Sequence, residues 1–237
     1  MNHEPDHPEA AFLRRLCGPQ GLGEKTACAL EQRFGSGEGV GGVEEEIFLR
    51  GWAVQEKLLI PDSDWQALRT ISNTTSEHEV RYRQSDHRAV KRTWPGTFGF
   101  VPRCLNGTWK HSPAKPSEYL NRQALQNAMF DDEISLEGFM LDAGGIAIIG
   151  QKQGGLSMVI SQPWLDAADE RSPHPTEEQV DEMMKTKGFL SISGSFYGWE
   201  SAEFGIVILD AKPDNFILTS EGILPIDLII TGTHLAA

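Results

Sequence analysis

Asp210-Ala211-Lys212-Pro213-Asp214-Asn215, running into Phe216-Ile217-Leu218 and followed twelve residues after Asn215 by Asp227 in Pro225-Ile226-Asp227-Leu228, is the stretch on which the reading of this chain turns. An apolar run, Gly205-Ile206-Val207-Ile208-Leu209, enters the loop and a second, Phe216 to Thr219, leaves it. A tight loop between two strands places Asp210, Lys212 and Asn215 together. The Glu221-Gly222 turn lets the next strand carry Asp227 back to the same end. Pro, Asp and Asn are also ordinary turn residues, so a solvated loop is the plain alternative. The flanking apolar runs and the later apolar-framed Asp227 favour a built site.

Two carboxylates, an amide and an ammonium meeting at one point suit phosphoryl transfer. That chemistry needs a carboxylate and an amide oxygen for Mg2+, a carboxylate to orient a hydroxyl, and a cation for developing phosphate charge. Asp210 and Lys212 are the candidate catalytic residues, and Asn215 and Asp227 the candidate metal ligands.

Outward from this loop the chain changes character several times. Residues 1–34 begin polar and then read as one or two helices, and Gly35 to Gly42 is a glycine-rich break. Glu44, Glu45 and Glu46 load the first turn of a helix that Pro61 ends. Asp62 to Ile71 reads as a short helix. From Ser76 the pattern is of strands: Glu79–Tyr82 and Arg88–Thr93 are expected to pair as a hairpin across Gln84–His87. Pro95 to Pro116 reads as a loop. Ser117 is expected to cap a helix from Glu118 to Met129. Ile134–Leu141, Ile146–Ile149 and Leu156–Ile160 read as strands, and Trp164–Pro175 as an acidic connector. Thr176 is expected to cap a helix reaching Met184. Phe204–Leu209, Phe216–Thr219 and Ile223–Ile230 are the last expected strands.

Composition narrows the classes. The chain has 237 residues, 39% hydrophobic and 23% charged, the mixture of a globular protein. Acidic residues number 34 against 21 basic, a formal net charge of -13, which argues against a phosphate-tracking nucleic-acid surface. It leaves room for a locally basic nucleotide pocket. Cys17, Cys28 and Cys104 have no paired spacing, so reduced thiols and a cytoplasmic location are expected. No apolar run approaches the ~18 residues of a membrane span, and no membrane partner is expected. Scattered histidines read as surface residues, and the tryptophans as packing.

Two glycine motifs are set aside. Gly37, Gly39 and Gly42 satisfy GxGxxG, but no strand leads into them. Gly18 to Thr26 nearly matches a P-loop, yet Glu24 puts a carboxylate where phosphate would lie. His3 and His7 are separated by Pro5, which breaks the helix that would align them.

Asp210-Ala211-Lys212-Pro213-Asp214-Asn215-Phe216-Ile217-Leu218 resembles the catalytic loop of eukaryotic-type protein kinases. Pro225-Ile226-Asp227-Leu228 is similar to their magnesium-binding position, spelled closer to that of aminoglycoside phosphotransferases. Ala89-Val90-Lys91 resembles the strand whose lysine holds the nucleotide phosphates. Together with SEHEVRY, EYLNRQALQN, ISQPWL and the helix after Thr176, these segments resemble the serine/threonine/tyrosine kinase domain found in bacterial and phage polyvalent proteins, over roughly residues 45–235.

The resemblance implies an α+β, minimal bilobal fold with a small antiparallel N-lobe sheet and a truncated C-lobe. The expected organisation is a tail and helical extension over 1–70, an N-lobe over 71–163 and a C-lobe over 164–237, with a hinge near Ser161–Asp166. It implies ATP and Mg2+ as cofactors, Lys91 and Glu118 as a phosphate-holding pair, Asp210 as base, Lys212 as charge stabiliser, and Asn215 and Asp227 on metal. The expected partners are a nucleotide and a protein substrate or partner protein.

Departures keep alternatives open. Thr74 to Tyr82 contains no glycine, Ile208-Leu209 stands before Asp210 where the family has His-Arg, and ten residues of this sequence follow Asp227. A catalytically inactive pseudokinase acting as a scaffold, and a small-molecule kinase, remain alternative readings.

Overall fold

In the computed structural model, residues 21–35, 39–72, 77–141, 155–195 and 197–233 are described. The tail with His3 and His7, Gly37 and the Ile146–Ile149 run lie outside them.

Three helices open the described chain: α1 (Leu22–Phe34), α2 (Gly42–Gln55) and the short α3 (Asp62–Gln66). The first sheet is antiparallel, in the order β1 (Arg69–Ser72), β2 (His78–Arg83), β3 (Arg88–Thr93), β7 (Leu156–Pro163), β6 (Ser135–Leu141). Its sides are separated by strand alternation. Leu156, Met158 and Ile160 join Leu30, Leu49, Ala53, Tyr119 and Leu120 in one core cluster, while Val90, Val159 and Met140 pack with Trp65 in another. Lys91 is in register with Ile160, so its side chain emerges on the face that carries Leu30, Leu49 and Tyr119, opposite Trp65.

Between β3 and β6 lie a hairpin, β4 (Phe100–Leu105) with β5 (Thr108–Pro113), and the helix α4 (Pro116–Phe130). The hairpin replaces the loop expected over Pro95–Pro116. Asn106 and Gly107 both adopt positive φ, 53° and 74°, the conformation that a two-residue turn of matching twist requires. Pro116 occupies the first turn of α4, where its missing N–H removes nothing. Ser117 is therefore not the cap: its backbone N–H and hydroxyl both donate to Glu45 of α2, at 2.9 Å each. Helix α4 joins the two halves of the molecule. Tyr119 and Leu120 sit in the first sheet's core, whereas Leu125 and Phe130 belong to the core of the second.

The second half holds α5 (Glu177–Thr186), a sheet ordered β13 (Ile229–Gly232), β10 (Ile206–Leu209), β9 (Trp199–Ser201), β8 (Leu190–Ser191), and the hairpin β11 (Phe216–Thr219) with β12 (Gly222–Pro225). Thr176 and Gln179 form the expected capping box, and Val180 and Met184, four residues apart, bury the inner stripe of α5. The fold is α+β and follows a minimal two-lobed plan. Two expected boundaries shift. The helix expected over Asp62–Ile71 stops at Gln66 because Arg69–Ser72 pairs with β2. The strand expected over Ile223–Ile230 breaks at residues 226–228, which carry Asp227 between β12 and β13. Among the described residues no helix is long and apolar enough to cross a membrane.

Candidate active site

The loop that begins at Asp210 is closed by its own polar groups. Asp210 has φ 58°, a left-handed conformation unusual for a residue with a side chain, and lies just beyond the fully buried strand β10. Asn215 Nδ2 donates to the Asp210 backbone carbonyl at 2.6 Å and to its carboxylate Oδ2 at 2.9 Å. Lys212 Nζ lies 3.3 Å from the same carboxylate oxygen. Pro213–Asn215 forms one 3-10 turn, and the Asn215 N–H bonds back to the Lys212 carbonyl at 2.9 Å. Ala211 is fully buried and anchors the loop through its N–H to the Tyr197 carbonyl at 3.0 Å.

The break that carries Asp227 docks on this loop. The Ile226 N–H donates to the Asn215 carbonyl at 2.8 Å, and the Lys91 ammonium donates to the Ile226 carbonyl. Asn215 and Lys91 thereby meet the segment that carries Asp227, and Asp210 and Lys212 connect to it through Asn215. Burial pulls the Lys91 ammonium below its ordinary pKa, while Asp227, Asp132 and Glu77 act against that loss. Burial alone would raise the Asp227 carboxyl. The Arg122 guanidinium, aided by His78 and Lys91, instead holds it well below the usual carboxylate range.

Glu118 lies elsewhere. Its carboxylate caps its own helix by accepting from the Lys115 N–H at 2.8 Å, and its other oxygen is ion-paired with Arg103. The helix side chains that do reach the site are Arg122 and Gln126, one and two turns further along α4. Arg122 Nη2 donates to Asp227 Oδ1 at 2.5 Å and Nη1 to Glu77 Oε2 at 2.5 Å. Gln126 accepts from the Leu228 N–H at 3.3 Å and donates to Asp132 at 2.5 Å. Burial raises the Asp132 carboxyl to about 7, against the opposing Gln126 bond.

His78, expected at the surface, is 2% exposed. Its Nε2 lies 2.9 Å from the Tyr119 hydroxyl and its Nδ1 3.7 Å from Asp227 Oδ2. Sequence reasoning passed over Arg122, Glu77, His78 and Asp132. The available signal was a polar Arg122-Gln123 pair inside an otherwise apolar helical stripe, and Glu77-His78 at the mouth of the expected hairpin.

The donor set suits a hard divalent cation. With Nδ2 committed to Asp210, the Asn215 amide carbonyl has no protein partner among the described residues. Asp227 keeps Oδ2 turned from Arg122, and its side chain is 33% exposed. An amide oxygen and a carboxylate oxygen are ligand types magnesium prefers.

No significant match was found among curated proteins or among solved structures. A sequence profile of the family described as "Serine/Threonine/Tyrosine Kinase found in polyvalent proteins" matches residues 42–233. The match spans the first sheet, α4, the Asp210 loop and Asp227 together, and the chain belongs to this family of kinases found in polyvalent proteins.

Proposed function

We propose that this kinase-like chain transfers the terminal phosphoryl group of ATP, with Mg2+, to a hydroxyl, and that the acceptor is a protein side chain. The observation that carries the reading is the double bond from the Asn215 amide to Asp210, on a loop whose Asn215 carbonyl also receives the Ile226 N–H. One rigid turn thus sets the candidate base and both candidate metal ligands.

Asp210 keeps Oδ1 clear of Asn215 and Lys212, so that oxygen accepts the proton of the acceptor hydroxyl as its oxygen bonds the terminal phosphorus. The bond to the nucleoside diphosphate breaks in the same displacement. Lys212, beside the Asp210 carboxylate, offsets charge on the transferring group. Lys91 directs its ammonium to the Ile226 carbonyl, beside Asp227, where it would hold the nucleotide phosphates. Asn215 and Asp227 would hold magnesium, which would supply the remaining charge neutralisation. A lobe boundary after Pro163 fits this reading, since the chain there leaves the first sheet for the connector to α5.

The test is transfer of labelled terminal phosphate from ATP to the chain itself and to a panel of protein acceptors, comparing wild type with Asp210→Ala. Label that requires Mg2+ and disappears in the variant supports the reading; equal labelling in both removes Asp210 as base. Magnesium-dependent nucleotide binding without transfer to any acceptor would favour the scaffold alternative.

A further inference from the structure

In the resemblance described above, a helix acid pairs with the phosphate-holding lysine. Here the polarity of that link is reversed. Helix α4 presents a cation to the metal-binding aspartate, while Lys91 rests on a backbone carbonyl.

The Arg122 side chain is fully buried, and its donors reach three separate segments. Nε donates to the Leu228 carbonyl at 2.7 Å, Nη2 to Asp227 Oδ1 at 2.5 Å, and Nη1 to Glu77 Oε2 at 2.5 Å and the Phe100 carbonyl at 3.1 Å. Asp227 and Leu228 lie in the break before β13, Glu77 at the entry to β2, and Phe100 at the start of β4. A planar fork can satisfy such a set; an ammonium, a point charge on a flexible stem, cannot. Buried ion pairs add little net stability compared with apolar packing of the same volume, so stability alone is a poor reason for this residue here. What the fork does accomplish is geometric. It fixes Oδ1 of Asp227 against α4 and leaves Oδ2, which lies 3.7 Å from His78 Nδ1, clear of the guanidinium on a side chain that is one-third exposed.

We propose that Arg122 is the positioning residue for Asp227: it holds the carboxylate in the orientation that binds a divalent cation beside a bound nucleotide, coupling the placement of α4 to metal binding. This deepens the phosphotransfer reading and rests on it for the identity of the ligand. Glu77 serves as the second anchor, keeping the guanidinium from rotating away.

The experiment is Mn2+ binding to the full chain, followed by electron paramagnetic resonance with a non-hydrolysable ATP analogue present, alongside analogue affinity measured in EDTA. For Arg122→Lys the expected result is at least tenfold weaker Mn2+ binding, with metal-free nucleotide affinity within about threefold of wild type. In the phosphoryl-transfer assay the half-saturating Mg2+ concentration rises in parallel. A merely structural role would lower the folded fraction while leaving the Mn2+ affinity of the folded molecules unchanged, and that result overturns the proposal. Wild type that binds nucleotide but no Mn2+ overturns both this inference and the catalytic reading. Mn2+ bound by wild type and lost in Arg122→Lys, with no phosphoryl transfer from either, sinks the catalytic reading alone. If Arg122→Lys does not fold, the assigned 15N resonance of the Arg122 Nε–H in wild type decides. It shifts when Mg2+ is added to the nucleotide complex if Arg122 holds a ligating carboxylate, and an unmoved resonance overturns the proposal.

Discussion

Asn215 grips Asp210 twice, through its backbone carbonyl at 2.6 Å and its carboxylate at 2.9 Å, with a single amide nitrogen. The grip holds the side chain and the left-handed backbone of Asp210 in one arrangement. Asn215→Ala releases both. The expected outcome is a fall in kcat on the order of 10²-fold, the usual consequence of letting a reacting group drift by about an ångström. Stability should change by only about 1 kcal/mol for the lost bonds. Steady-state kinetics with a parallel denaturation curve check this, and activity within threefold of wild type would contradict it.

The backbone of Asp210 supplies a second prediction. At φ 58° a Cβ is unfavourable by about 1–2 kcal/mol, which glycine avoids. Asp210→Gly and Asp210→Ala both remove the carboxylate, so both are expected to lose phosphoryl transfer. The glycine variant should be the more stable of the two by about 1 kcal/mol. Chemical denaturation of the pair measures the difference directly, and an alanine variant as stable as the glycine one would show that the loop relaxes.

Gly99 has φ 68°, and a Cβ there would meet the Glu77 carboxylate and lie 3.1 Å from Arg122 Nη1. Gly107 has φ 74° with open space around it. Gly107→Ala should therefore lose only about 1 kcal/mol of stability, to left-handed backbone strain. Gly99→Ala should lose that and roughly 2 kcal/mol more, as the buried Glu77–Arg122 pair is displaced. Thermal melts of the two variants make the comparison, and equal shifts would mean the ion pair yields without loss.

Asp132 gives a pH dependence of known sign. Its carboxyl is raised from 3.8 to about 7 by burial, with Gln126, Lys91 and Lys187 acting against the shift and Asp131 with it. As pH rises from about 4, the unfolded chain releases this proton first while the native state retains it. Native stability from this group therefore falls between pH 4 and 7, by up to roughly 4 kcal/mol, and is flat above. Asp132→Asn keeps an acceptor for Gln126 and removes the titration. It is expected to be more stable than wild type at pH 8, with the difference vanishing toward pH 4. A difference between variant and wild type that does not change across this window would refute the assignment.

Much of the fold could be read from local pattern. The β2–β3 hairpin, the Thr176 cap and the Asp210 loop are each specified by neighbours in sequence, through alternation, a capping box and turn chemistry. Asn106-Gly107 was also a readable hairpin signal, obscured by the Pro and Gly around it. Ser117 misled because a good capping residue was recruited by Glu45, 72 residues away in the chain, while Pro116 took the first turn. The two-residue β8 and three-residue β9 carry no periodicity to detect, and exist because β10 offers an edge to β9 and β9 one to β8.

The site divides along the same line. Asp210, Lys212, Asn215, Asp227 and Lys91 were identifiable from the chain alone, because the first three share one turn and the other two sit in recognisable strand contexts. Which residue of α4 meets them was not. Glu118 has the expected chemistry but points to Arg103 and its own helix terminus, and Arg122, one turn on, reaches Asp227. One turn of a helix can be rotated to any side by the packing of its apolar stripe, here Tyr119 and Leu120 against one core and Leu125 and Phe130 against the other. Sequence by itself therefore determined the candidate catalytic loop, because short-range turn geometry fixes its groups relative to one another. The partner of Asp227 was decided only by tertiary packing, since its position depends on where two distant cores set a helix between them.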